Sequence, residues 1–271
     1  MTVDEVPPTL GRLWRLRSGS RLGRPAELDV ERIVRTAVDL ADRDGLSAVT
    51  LSRVAKELGF TTMSLYRHVG SKDELYVLMG DHVLGAPPEI HAADWRDGLR
   101  HWAVAHRQVH GRHEWLARLP VSGPPGGPNA TAWLDVGLRV LRDTGLGWAA
   151  KVNVLTVLSG YVRSTALQSA ELAAGRSRTG QGAAEVAREY GRAMARLVDR
   201  DRFPDAAALF ASDLFESAPT RPAAQAEPGP AFTFGLDLIL DGVAAAVDAA
   251  RAEPVRTRKT GNTRGETCDT R

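Results

Sequence analysis

The stretch TLSRVAKELGFTTMSLYRHV, residues 50–69, decides the fold. Leu51, Val54, Ala55 and Leu58 recur at the spacing of one helix face, and Thr50 ahead of them can accept first-turn amides. Gly59 stops that helix, because glycine enters the left-handed region without steric cost. After a three-residue turn, Thr61 or Thr62 caps a second short helix that runs through His68, buries Leu65 and Val69, and closes at Gly70. Two short helices around a glycine turn have the spacing of a helix-turn-helix, whose second member enters a DNA major groove. Its outer side, Thr61, Thr62, Met63, Ser64, Tyr66, Arg67 and His68, mixes hydroxyls, a thioether and cations that suit base edges and phosphates. A plain helical hairpin would carry such a polar face too, so the pattern alone leaves both readings open.

Upstream, Val30, Ile33, Val34, Ala37, Val38 and Ala41 mark a helix capped by Asp29 and ended by Gly45. Downstream, Ser71 with Glu74 forms a capping box that starts a helix to about Leu84, before Gly85 and Pro87-Pro88 break the chain. Further helices are expected over 94–110, 129–143, 148–173, 183–200, 204–216 and 232–250, with loops at 120–128 and 217–230. Helix formers dominate, aromatics are 6%, and no strand-like alternation occurs, so the fold class is all-α. The expected organisation is a flexible basic arm over 1–28, a helix-turn-helix domain over 29–76, a ligand-binding and dimerisation domain over 77–250, and a disordered tail over 251–271.

The net charge of +2 is too small to argue for nucleic acid, but its distribution is uneven. Residues 12–24 hold five arginines and no acid, and residues 50–72 hold four bases against Glu57 alone, as expected of a surface that faces phosphates. Cys268 has no partner in the chain, which fits a reducing cytoplasm. No apolar stretch is expected to reach the roughly 18 residues of a membrane span. Catalysis needs a constellation, and no nucleophile elbow, phosphate loop or paired metal motif is visible, so neither an enzyme nor a cofactor is expected.

The run from Val49 to Phe60, with Ser64-Leu65-Tyr66-Arg67-His68-Val69 and Ser71-Lys72-Asp73-Glu74-Leu75, resembles the N-terminal domain of the tetracycline-repressor family. That resemblance implies a recognition helix carrying Tyr66 and His68, a phosphate clamp at Lys72, and base reading by Thr62, Met63 and Ser64. Thr50, Ser52 and Arg53 would border the same DNA face, with Ser52 standing where the tetracycline repressor uses an arginine, which implies a different operator. The run Ala231–Leu240 resembles the last helix of that subgroup, and Trp95 stands where its fifth helix starts. Pro120 falls near the position of that repressor's magnesium-chelating histidine, so tetracycline is not the expected ligand, and 183–200 reads as an insertion.

The family's architecture implies a homodimer on a palindromic operator, with recognition helices about 34 Å apart. The dimer contact is expected from 148–173 and 232–250, where Gly160, Gly235 and Gly242 permit close helix approach. A small organic effector is expected among Trp102, His106, Trp115, Trp133 and Tyr161, aromatics with polar handles that suit a flat ligand. Alternatives are a metal sensor using His106, His110 and His113 at i, i+4 and i+7, or a DNA binder with no ligand. Arg24 ahead of the first helix is a candidate for a minor-groove contact, set against a merely solubilising arm.

Overall fold

Asp29, Thr50, Thr61, Ser71 and Asp94 each start a helix by accepting the backbone N–H three residues on, as their side chains dictate. The computed structural model describes residues 6–16, 28–121, 123, 126–179, 182–216 and 229–252, and among them only helices and their connections occur. In chain order these are α1 (Pro8–Leu13), α2 (Val30–Asp44), α3 (Leu51–Leu58), α4 (Thr62–Val69), α5 (Lys72–Leu84) and α6 (Trp95–Arg112). They continue as α7 (Pro128–Val140), α8 (Trp148–Thr179), α9 (Ala183–Leu197), α10 (Pro204–Ala211) and α11 (Pro230–Ala252).

Two apolar cores organise these helices. Ile33, Leu40, Val54, Leu65, Leu75 and Met79 are fully buried where α2 to α5 meet. Gly59 takes the expected left-handed conformation, φ 77° and ψ 24°, and so sets the angle between α3 and α4. The second core gathers Leu99, Trp102, Leu158, Leu236 and Leu240 from α6, α8 and α11. Trp115 and Leu119, C-terminal to α6, pack into the first core, and the boundary expected at 76/77 falls inside α5.

Two expectations about the termini need correction. The segment expected as a flexible arm contains α1, whose Leu13 is buried and whose Leu10 packs on the first core. Arg24 and the tail from 253 lie outside the described residues. In addition, α11 is, by length and composition, apolar enough to cross a membrane, contrary to the expectation that no such stretch exists. The cause is legible in its composition: the 18 residues 230–247 carry only Asp237 and Asp241 as charged side chains among mostly apolar ones.

Candidate functional site

The α4 helix presents the residues that the sequence assigned to DNA. Met63 is 67% exposed and Tyr66 46% exposed, both large apolar groups that cost free energy in water unless a partner covers them. Arg67 and Lys72 are also exposed, and Lys72 lies over the Tyr76 ring at 5.2 Å. Thr61 and Ser64 are partly spent on each other: Thr61 accepts from the Ser64 amide at 3.3 Å, and their hydroxyls stand 2.9 Å apart. Thr50 likewise serves as the cap of α3, accepting from the Arg53 amide at 3.2 Å. Arg53 is turned to the Asp44 carboxylate, while Arg43 bonds Glu57 at 2.6 Å, so this ion-pair cluster fastens α2 to α3. Ser52 is exposed beside them.

In the second core, three rings expected in a ligand pocket, Trp102, His106 and Trp133, come together, with His110 of the metal alternative beside His106. His106 lies 5.0 Å from Trp102, 5.2 Å from Trp133 and 5.5 Å from His110, centroid to centroid. Trp102 meets Trp133 edge-on at 5.9 Å. Both tryptophan N–H groups are already committed, Trp102 to the Trp133 carbonyl at 3.0 Å and Trp133 to the Gly85 carbonyl at 3.1 Å. The rings therefore offer faces rather than the hydrogen-bond handles expected of them. By contrast, the Nδ1 atoms of His106 and His110 are buried and have no hydrogen-bond partner. Burial lowers the His106 pKa to about 4; burial, with His106 and Arg163 nearby, lowers that of His110 to about 3. Both imidazoles are thus neutral near pH 7.

The remaining candidates lie elsewhere. Trp115 donates to Asp42 of α2 at 2.5 Å and lines a separate groove of about 700 Å³ with Asp42, Tyr76 and Arg118. Tyr161 stacks on Phe232 at 5.3 Å and donates to its carbonyl at 2.9 Å, which joins α8 to α11. His113 bonds Asp42 at 2.9 Å instead of joining His106 and His110, so the three-histidine face does not assemble. Spacing on one helix suggested that face; the helix ends at Arg112, and His113 leaves its surface.

Sequence reasoning missed the joint between the cores. Asp81 on α5 accepts from the amides of Ala130 at 2.9 Å and Asn129 at 3.4 Å, and so caps α7 from another element. Gly127 is needed there, because a Cβ would collide with the Asp81 carboxylate. With the Trp133 bond to Gly85, α7 holds α5 at two points and touches the histidine cluster at the same time. No local signal marks Asp81, since its partners lie almost fifty residues away.

Residues 33–79 match the family described as bacterial regulatory proteins, tetR family, and residues 87–247 match the tetracyclin repressor-like C-terminal domain. The HTH-type transcriptional repressor DrrR1 of Streptomyces coeruleorubidus is 32% identical over 255 residues, covering 92% of this chain and 89% of that repressor. The class A tetracycline repressor of transposon 1721 from Escherichia coli is 27% identical over 224 residues, covering 80% of this chain and 91% of its own. Apo ActR from Streptomyces coelicolor superposes with a TM-score of 0.67 at 27% identity, over 84% of this chain and 100% of ActR. ActR in complex with actinorhodin gives 0.65 at 28% identity, over 81% and 98%.

Proposed function

This chain belongs to the tetracycline-repressor family of transcriptional regulators, and from that premise we propose that it is a dimeric repressor released from a palindromic operator by a small aromatic effector. It is a DNA-binding regulator and not an enzyme. On our reading, α4 enters the major groove with Thr62, Met63 and Ser64 nearest the base edges, Tyr66 and His68 beside them, and Lys72 on a phosphate.

One observation carries the effector reading. Two neutral imidazoles keep buried Nδ1 atoms unpaired, His106 against Trp102 and Trp133, and His110 against His106. A buried polar atom without a partner costs about 1–3 kcal/mol, which a ligand that supplies the partner recovers. An aromatic body suits the two indoles, and hydroxyl or amide donors suit the nitrogens. The capture of ActR with actinorhodin supports a small organic ligand of some kind. Occupying this cluster would press on Trp133, and through the α7 contacts at Gly85 and Asp81 would turn α5 and the recognition helix with it.

The dimer reading rests on the outward faces of α8 and α11. Phe234 is 68% and Leu238 57% exposed, and a Cβ at Gly160 or Gly242 would meet open space. Gly235 serves inside the chain instead, beneath Tyr161. A second copy covering this face accounts for the apolar length of α11 in a cytoplasmic regulator without a membrane.

The test is to select duplexes bound by the chain from random DNA, then screen aromatic compounds for release of the selected duplex. A two-fold-symmetric consensus and at least one releasing compound are expected. An asymmetric consensus would contradict the dimer, and a ligand-insensitive complex would favour a constitutive DNA binder.

A further inference from the structure

The α1 helix spans only six residues, too short to hold its shape by its own hydrogen bonds, so its contacts explain why it forms. Those contacts reach three separate elements. Arg12 pairs with Glu74 of α5 at 2.5 Å, and Thr9 donates to the same carboxylate at 2.7 Å. Arg15, held at φ 51° in a region that only glycine occupies freely, pairs with Glu31 of α2 at 2.7 Å. Trp14 donates to the carbonyl of Gly126, just ahead of α7, at 2.7 Å.

The Glu74 contact is informative. Ser71 with Glu74 is the sequence of a reciprocal capping box, yet only half of it forms: Ser71 accepts from the Glu74 amide at 3.1 Å, and the Glu74 carboxylate is taken by Arg12 and Thr9. Gly70 makes room for this, since a side chain there would meet both Glu74 and Arg12. The carboxylate so captured lies two residues from Lys72, at the turn between the recognition helix and α5. Between α1 and the body is a cavity of about 280 Å³ lined by Val34, Leu78, Asp81 and Asn129, which leaves space for one part to shift against the other.

We propose that α1 is a strap coupling the two domains: through Arg12 it positions the α4–α5 turn that faces DNA, and through Trp14 it ties that turn to the 126–130 segment ahead of α7. The coupling presupposes that α4 binds an operator, and it runs in parallel with the α5–α7 joint. Because coupling is reciprocal, operator binding must be felt at 126–130 through the strap.

The experiment uses the full chain and the duplex it selects from random sequence, with hydrogen exchange followed by mass spectrometry. In the wild-type protein, operator binding is expected to slow exchange at 7–14 and 126–131 as well as at 62–78. Trp14→Phe, which keeps the exposed ring and removes the indole N–H, should reduce the slowing at 126–131 to the part that the Asp81 joint carries, and leave that at 62–78. Arg12→Gln should weaken operator binding by about fivefold, the scale of a partly exposed ion pair, and Arg12→Lys should recover most of the loss. Unchanged slowing at 126–131 in Trp14→Phe, or wild-type affinity in Arg12→Gln, would overturn the strap. A wild-type chain that selects no duplex would instead sink the operator reading, and the coupling with it.

Discussion

Helices α2 to α5 of the first core and α7 of the second start by different means. In the DNA-binding region, α2, α3, α4 and α5 each begin at a side chain that accepts an amide three residues away. In the second core, α7 begins at Gly127 with no cap of its own, and its first amides are accepted by Asp81 from α5. A locally capped helix carries its starting geometry with it wherever it goes. A remotely capped helix keeps that geometry only while its partner stays in place. Helices α2 to α5 thus carry their own starts, and the start of α7 depends on where α5 stands.

The largest expected effect probes the independence of the first core. Leu65→Ala should cost about 2–5 kcal/mol of stability in urea, because Leu65 is fully buried on the inner face of α4. Hydrogen exchange at 99–109 should be far less affected than at 51–69. Equal acceleration in both segments would show that the cores do not behave as separate bodies.

Acid should distinguish the cores next. Unfolded histidine titrates near pH 6.5, while His106 and His110 in the folded chain titrate at about 4 and about 3. Above pH 6.5 both states are neutral there and the pair contributes no pH dependence. As pH falls from 6.5 toward 3, the unfolded chain takes up protons that the fold refuses, so stability is lost across that window. His106→Leu should flatten this loss and, by removing an unpaired buried nitrogen, leave stability at pH 7 unchanged or raise it by about 1 kcal/mol. An unaltered acid profile would mean that His106 is already protonated or paired in the folded chain.

Caps themselves offer a matched pair. Thr61→Ala and Asp81→Ala should each cost about 1 kcal/mol, the usual scale of a lost helix cap. Only Asp81→Ala should also change how far a releasing compound lowers operator affinity. If both variants respond to the compound alike, the remote cap carries no signal.

The smallest effect concerns Lys72. Lys72→Ala should reduce the slope of log affinity against log salt by about one unit, with sequence preference retained. An unchanged slope would remove Lys72 from the phosphate contacts.

These contrasts also explain what was legible in the sequence. The bounds of α2 to α6 could be read because Asp29, Thr50, Thr61, Ser71 and Asp94 act within one turn of themselves. The encounter of Trp102 with His106 was readable for the same reason, being four residues apart on α6. Trp115 reads as a ligand contact because it is an aromatic with a polar handle, but its indole N–H is taken by Asp42, a partner 73 residues away. The helix α1 escapes notice because its six residues, PTLGRL, are too few to show an apolar period and lead into an arginine-rich run, and its support comes from Glu74. Periodicity and caps are local, whereas the joint between the domains is made entirely of long-range bonds.

The proposed relay from the histidine cluster to α4 is tested most directly at Trp133. Trp133→Phe keeps an aromatic face beside His106 and removes the N–H that holds the carbonyl of Gly85 at the end of α5. The measurement is operator affinity with and without a releasing compound, beside the affinity of the compound for the free protein. The variant is expected to bind the compound nearly as the wild type does, yet to stay on the operator at concentrations that release the wild type. Release at wild-type concentrations would contradict a relay through α7.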